Sequence, residues 1–186
     1  VMKEDRTNPV SLPLLLEWVE RLNRPGLHDS ISLTGGEPLL QAPFLVEFLP
    51  QLRELTGLHL YLETGGHRPE QLATILAYLD SVGMDINLPS VSGENSWQDR
   101  GNLLQLCCDS QIEVFVKLII SITTNPTELE WAAAASNQCA SYPKPIRLVS
   151  SSKEGAGGRE QGSFSLKLKT LVRGKFNCSV IFAVLR

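Results

Sequence analysis

The chain has 186 residues, 42% of them hydrophobic and 20% charged, which suits one globular domain with a real core and excludes a disordered or fibrous protein. A net charge of -3, a pI near 5.7 and no Lys/Arg run argue against a groove-bound nucleic acid partner. No apolar run approaches the roughly 18 to 20 residues of a membrane span, and Val1-Met2-Lys3-Glu4-Asp5-Arg6 is too polar for a signal peptide, so no membrane and a cytoplasmic location are expected.

Ser11-Leu12-Pro13 has the form of a helix N-cap, and Leu15, Trp18, Val19 and Leu22 recur at helical spacing until Asn23-Arg24-Pro25-Gly26 stops the run. Ile31 to Leu33 predicts a short strand. A second amphipathic helix is expected around Phe44 to Leu55, with Leu45, Phe48, Leu49 and Leu52 on one face and Gly57 at its end. Leu58 to Leu62 alternates as a strand, closed by Glu63-Thr64-Gly65-Gly66. Pro69 to Leu79 predicts helix, Val82 to Leu88 strand, Trp97 to Asp109 helix and Ile112 to Ile122 a β-branched strand. Alanine-rich Pro126 to Cys139 predicts a last helix, and Ile146 to Val149 a last short strand.

Strands alternating with helices across short loops predict parallel βα units with right-handed crossovers, arranged as a (βα) barrel or as an open doubly wound sheet. In both, ligands sit at the carboxyl ends of the strands, where this chain gathers Thr34 to Glu37, Glu63 to Gly66, Asp85 and Asn87. After Val149 the texture changes. Residues 150–163 are Ser- and Gly-rich and linker-like, and Phe164 to Leu168 and Phe176 to Leu185 have the pattern of an added hairpin. The expected division is therefore a core over 8–149 and a tail over 150–186.

Cys107, Cys108, Cys139 and Cys178 form no C-x-x-C pair and no zinc spacing with His28, His59 or His67, so buried structural thiols are expected. The most informative stretch is Thr34-Gly35-Gly36-Glu37-Pro38-Leu39-Leu40-Gln41. A strand there runs into two glycines that let backbone approach a ligand, then a carboxylate and a proline without an N–H.

This stretch closely resembles the G-G-E-P motif of radical S-adenosylmethionine enzymes, and in particular the T-G-G-E-P-L-L-Q of the 7-carboxy-7-deazaguanine synthase family. Three further matches follow in order. Glu63-Thr64-Gly65-Gly66 is similar to that family's E-T-N-G, Asp85-Ile86-Asn87-Leu88-Pro89-Ser90 to its D-x-K-x-P-S, and Phe115-Val116-Lys117-Leu118-Ile119-Ile120 to its F-V-K-x-V-I. Asn87 stands in place of the family's Lys, and Gly65 in place of its Asn. The resemblance covers roughly Asn8 to Val149.

The resemblance implies a partial (βα)6-type barrel lacking its first strand and cluster loop, with a tail foreign to the family. It implies S-adenosylmethionine as cofactor. Gly35, Gly36 and Glu37 would offer carbonyls to its ammonium, Glu63 and Thr64 would lie beside the sulfonium ligand, and Asp85, Asn87 and Lys117 would reach its ribose or carboxylate. Thr34 would touch substrate. The complete family enzyme also carries a [4Fe-4S] cluster on C-x-x-x-C-x-x-C and a Mg2+ ion, whose ligands this sequence does not contain. The economical expectation is that Val1 lies just downstream of the cluster segment and that this chain alone does not cleave S-adenosylmethionine reductively. The implied reaction converts 6-carboxy-5,6,7,8-tetrahydropterin, a pterin-like substrate, to 7-carboxy-7-deazaguanine in queuosine biosynthesis. A flavodoxin-like electron donor and a homodimer complete the implied partners. Two alternatives stay open: a glycyl-radical activating enzyme, and a non-catalytic scaffold that has lost its cluster.

Overall fold

The structure, a computed structural model, describes residues 3–6, 10–93, 96–120, 124–137, 147–152, 164–173 and 176–185. In chain order its elements are β1 (Lys3–Arg6), α1 (Leu12–Leu22), β2 (Ser30–Gly35), a 3-10 turn over Pro38–Gln41, α2 (Ala42–Thr56), β3 (His59–Thr64), α3 (Pro69–Ile75) with a 3-10 turn over Leu76–Tyr78, and β4 (Ser81–Asn87). There follow α4 (Pro89–Ser92), α5 (Trp97–Asp109), β5 (Glu113–Ile120), α6 (Pro126–Asn137), β6 (Arg147–Ser152), β7 (Phe164–Arg173) and β8 (Phe176–Leu185).

One sheet holds all the strands in the order β1-β7-β8-β2-β3-β4-β5-β6. From β2 to β6 every neighbour is parallel and spatial order equals chain order. Right-handed crossovers without a reversal of direction put every connecting helix on the same face, which is barrel-type winding; a doubly wound sheet needs the reversal. The α/β alternative left open by the sequence is thereby decided in favour of a partial (βα) barrel.

The period-two alternation of the strands separates the two faces. Ile31, Leu33, Leu60, Leu62, Val82, Met84, Ile86, Val114 and Val116 are buried and form one core with Leu15, Trp18 and Val19 of α1, Leu45, Phe48, Leu49 and Leu52 of α2, Leu72 of α3 and Leu103 and Leu104 of α5. The amphipathic stripes predicted for α1 and α2 are the buried ones. Gly57 closes α2 in the left-handed conformation, φ 62°, its N–H bonded to the Arg53 carbonyl at 2.9 Å. The opposite, inner face carries Ser32, Thr34, Tyr61, Glu63, Gly83, Asp85, Asn87, Phe115 and Lys117, a mostly polar set.

Several boundaries differ from expectation. β3 extends through Glu63 and Thr64, because the parallel register with β4 continues to Thr64 opposite Met84. The helix expected over Pro69 to Leu79 tightens into a 3-10 turn after Ile75. β6 runs to Ser152, into the stretch read as linker, since its pairing with β5 continues to Ile120 opposite Ser152. β7 and β8 form an antiparallel hairpin, and β8 also runs parallel along β2, from Ser30 opposite Val180 to Gly35 opposite Leu185. β1, antiparallel to β7, and the single turn α4 carried no sequence signal. The ends of the predicted strand at Ile122 and of the helix at Cys139, the strand start at Ile146 and most of the linker-like stretch lie outside the described residues. Cys107 is a buried free thiol as expected, but Cys108 is disulfide-bonded, a correction to the reading of four thiols. Pairing depends on Cα separations that only the folded chain defines.

Candidate active site

The carboxyl ends of β2, β3, β4 and β5 lie side by side, so residues about 30 positions apart in sequence meet there. Thr34, at the end of β2, donates its hydroxyl to Glu63 Oε2 at 2.9 Å, the two being neighbours on the inner face. Lys117 Nζ reaches Asp85 Oδ2 at 2.8 Å, from directly opposite positions of β5 and β4, with about a third of each side chain exposed. Two polar pairs therefore stand on one face at the same end of the sheet, each still open to solvent.

Glu37 behaves differently from its neighbours. Its side chain is only 9% exposed. Oε1 accepts the Leu39 N–H at 3.1 Å, both oxygens accept the Thr64 hydroxyl at 2.9 Å, and Oε2 accepts the Gly65 N–H at 2.9 Å. The Glu37 carbonyl accepts the Leu40 N–H at 3.1 Å as the 3-10 turn opens. Its side chain is thus a clamp between two strand-end loops. Thr64, buried, completes the clamp by accepting the Gly66 N–H at 3.2 Å. Gly35 and Gly36 stay exposed at the mouth, and a Cβ placed on Gly36 would meet nothing within 4 Å, so the backbone there is open to an incoming molecule. Gly66 is needed for a different reason: φ is +79° and a Cβ would run into the Met84 thioether. That accounts for the second glycine of the E-T-G-G turn.

Two structural residues escaped the sequence reading. Arg100 of α5 is 4% exposed and donates from Nε to the Gly65 carbonyl at 3.3 Å and from Nη1 to the Asn87 carbonyl at 3.1 Å. One guanidinium thus ties the ends of β3 and β4 together, a fork geometry that suits arginine. Glu128 of α6, also buried, accepts the Ser90 N–H at 3.0 and 3.2 Å and the Ser90 hydroxyl at 2.6 Å, fixing the Pro89-Ser90 turn after β4. Arg100 shares the buried side of α5 with Leu103, Leu104 and Cys107, and a charge at helical spacing from apolar residues was the available signal there.

Tyr61 was also missed. Its ring lies on the inner face two residues below Glu63, edge-on to Phe115 with centroids 6.4 Å apart and planes at 85°. Burial, and then the Glu63 and Asp85 carboxylates, push its phenol above the ordinary 10.0, so it stays protonated.

With this geometry in place, comparison with known proteins is decisive for the family. The profile of the Radical SAM superfamily matches residues 2–136. The chain belongs to the radical SAM superfamily. Among curated relatives it is 40% identical over 129 residues, 68% of this chain and 50% of the relative, to the 7-carboxy-7-deazaguanine synthase of Geobacter sulfurreducens. It is 30% identical over 135 residues, 70% of this chain and 53% of the relative, to the enzyme of the same name from Thermococcus kodakarensis. It is 29% identical over 152 residues, 74% and 60%, to that of Methanothermobacter thermautotrophicus. The chain spans about half the length of the first two of these relatives.

Membership of the radical SAM superfamily implies S-adenosylmethionine and a [4Fe-4S] cluster as cofactors, and the residues present fit the two unequally. The open Gly36 backbone and the solvent-facing Thr34–Glu63 and Asp85–Lys117 pairs offer an ammonium-, hydroxyl- and carboxylate-binding ligand the groups it needs. The two described cysteine side chains do not fit a cluster. Cys107 is fully buried, with burial pushing its thiol up to about 12, and Cys108 is disulfide-bonded, whereas cluster ligands are thiolates. Among the described residues no group of three or more His, Cys, Asp or Glu is placed to hold a metal ion, and no helix is long and apolar enough to cross a membrane.

Proposed function

We propose that this chain supplies the S-adenosylmethionine-binding part of a radical enzyme that makes 7-carboxy-7-deazaguanine from 6-carboxy-5,6,7,8-tetrahydropterin. The observation that carries this reading is the pair of open polar contacts on the inner face, Thr34–Glu63 and Asp85–Lys117, beside the unobstructed Gly36 backbone. The 40% identity to a relative of that name supports the choice of reaction.

In this reading the Gly35 and Gly36 carbonyls accept from the methionine ammonium, while Lys117 offers its charge to a carboxylate and Asp85 and Asn87 accept from ribose hydroxyls. Glu63 holds a negative charge opposite the sulfonium, at a depth where water screens it less than in bulk. Glu37, Thr64 and Arg100 act indirectly, by holding the loops that present these groups. S-adenosylmethionine held by these residues would supply the radical chemistry of the complete enzyme. Among the described residues neither Cys107 nor Cys108 fits a cluster, so in this reading the chain by itself binds S-adenosylmethionine without cleaving it. The complete enzyme of this reading takes a magnesium ion, a flavodoxin-like electron donor and a cytoplasmic location, and forms a homodimer.

Calorimetric titration of the 186-residue chain with S-adenosylmethionine tests the proposal. Saturable one-to-one binding is expected, weakened at least about tenfold by Lys117→Met, a loss in the range of a charged hydrogen bond. Because the Lys117–Asp85 pair is a third exposed, the same variant changes stability by less than about 1 kcal/mol. Absence of binding, or binding indifferent to Lys117, overturns the assignment. Anaerobic iron and sulfide reconstitution is a second check: no stoichiometric cluster is expected on this chain, and one would contradict the cysteine assignment given above.

A further inference from the structure

Below the strand-end pairs, the inner face has a floor that the cofactor reading does not use. Tyr61 Oη sits over Gly83, so closely that a Cβ on Gly83 would collide with the hydroxyl and stand 2.7 Å from Cζ and 2.9 Å from Cε2. Glycine at this position is therefore what admits the ring. Phe115 meets the ring edge-on from the far side, directly opposite Gly83 in the β4–β5 register. Tyr61 is half-buried, and its hydroxyl makes no hydrogen bond among the described residues. Ser32, its neighbour in the β2–β3 register, is fully buried and its hydroxyl likewise has no partner.

Of these two adjacent hydroxyls, Ser32 Oγ is enclosed whereas Tyr61 Oη is not, so Tyr61 is the one placed to donate to a bound molecule. Here they lie beside two aromatic rings, under a mouth lined with polar groups. A bicyclic heterocycle with one flat ring bearing nitrogen or carbonyl acceptors matches that combination: the flat ring suits the aromatic side chains, and its acceptors suit the Tyr61 hydroxyl. We propose that Tyr61, seated on Gly83, forms the floor of the substrate cavity and donates its hydroxyl to an acceptor on the flat pyrimidinone ring of a fused bicyclic substrate, making it a specificity-determining residue. The inference rests on the function proposed above and extends it to the substrate side of the site.

The test is anaerobic calorimetry on the 186-residue chain with two probes, 6-carboxy-5,6,7,8-tetrahydropterin and S-adenosylmethionine, for wild type, Tyr61→Phe and Gly83→Ala. Tyr61→Phe is expected to weaken the pterin about 5- to 10-fold, the size of one hydrogen bond, and to leave S-adenosylmethionine within about twofold. Gly83→Ala, which must displace the ring, is expected to weaken the pterin further. Pterin binding unchanged by Tyr61→Phe, or equal losses for both probes, overturns the proposal, as does a Gly83→Ala effect no larger than that of Tyr61→Phe. A wild-type chain that binds S-adenosylmethionine but not the pterin overturns the floor assignment and leaves the cofactor site standing. One that binds neither overturns both.

Discussion

Thr64 donates its hydroxyl to both carboxylate oxygens of Glu37 at 2.9 Å, and this contact ties the end of β2 to the end of β3. The glutamate of the G-G-E-P turn therefore shapes the mouth of the site through the chain's own N–H and O–H groups. Glu37→Ala leaves the Leu39 and Gly65 N–H groups and the Thr64 hydroxyl without their acceptor, and is expected to cost about 3 kcal/mol in urea denaturation, since hydrogen bonds to a charged group contribute most. Glu37→Gln keeps one acceptor oxygen and should cost about half as much. A loss under about 1 kcal/mol for the alanine variant would show that the clamp is dispensable.

Gly66 is held at φ +79° with the Met84 side chain where a Cβ would go. Gly66→Ala combines a strained backbone with an overpacked contact and is expected to destabilise by about 2 to 4 kcal/mol. Gly36→Ala meets open space and should change stability by less than about 1 kcal/mol. Thermal melts of the two variants side by side check the contrast.

Arg100 spans two backbone carbonyls, Gly65 and Asn87, from a buried position on α5. Arg100→Met is expected to raise amide hydrogen exchange in residues 65–67 and 87–90 together, because the two loops lose a shared tether. Arg100→Lys, with a point charge in place of a fork, should restore protection at one loop only. Exchange that rises at neither loop would contradict the tether.

Cys107 is raised from 9.0 to about 12 by burial. A raised folded value means that the native state holds the proton more tightly, so its contribution to stability is complete below pH 9 and is lost as pH climbs from 9 to 12. Tyr61 adds a loss of the same sign above pH 10. Denaturation midpoints measured across pH 8 to 12 are expected to fall, and Cys107→Ala should flatten the decline while leaving the part owed to Tyr61. An unchanged slope in that variant would remove Cys107 as its source.

His28 works in the opposite direction. Burial, and then the nearby Arg24 charge, lower its value from 6.5 against the weaker pull of Asp29, and Nδ1 accepts the Arg24 N–H at 3.2 Å. Its contribution is present above pH 6.5 and is lost as pH falls through the depressed value. His28→Asn is expected to lower stability at pH 7.5 and to reduce the acid sensitivity below pH 6.5, both measurable by urea titration.

The order of βα units was legible in the sequence wherever periodicity was strong. Leu45, Phe48, Leu49 and Leu52 define the buried face of α2 without any tertiary information, because a 3.6-residue repeat places them on one stripe. The four strand-end motifs were legible too, as was their convergence, since parallel strands bring their carboxyl ends to one edge of the sheet. The clamp roles of Arg100 and Glu128 were not, because each acts across a gap of 13 to 38 residues.

The sequence by itself therefore determined the α/β class, the chain order of elements and the sheet edge at which the four motifs gather, all consequences of local periodicity and turn chemistry. Only the tertiary structure decided that the winding is barrel-like, that Glu37 faces Thr64 and Gly65, that Lys117 meets Asp85, and that Gly83 makes room for Tyr61. Those relations depend on strand order and register across the sheet, and register is settled by packing between segments distant in the chain, which no local pattern encodes.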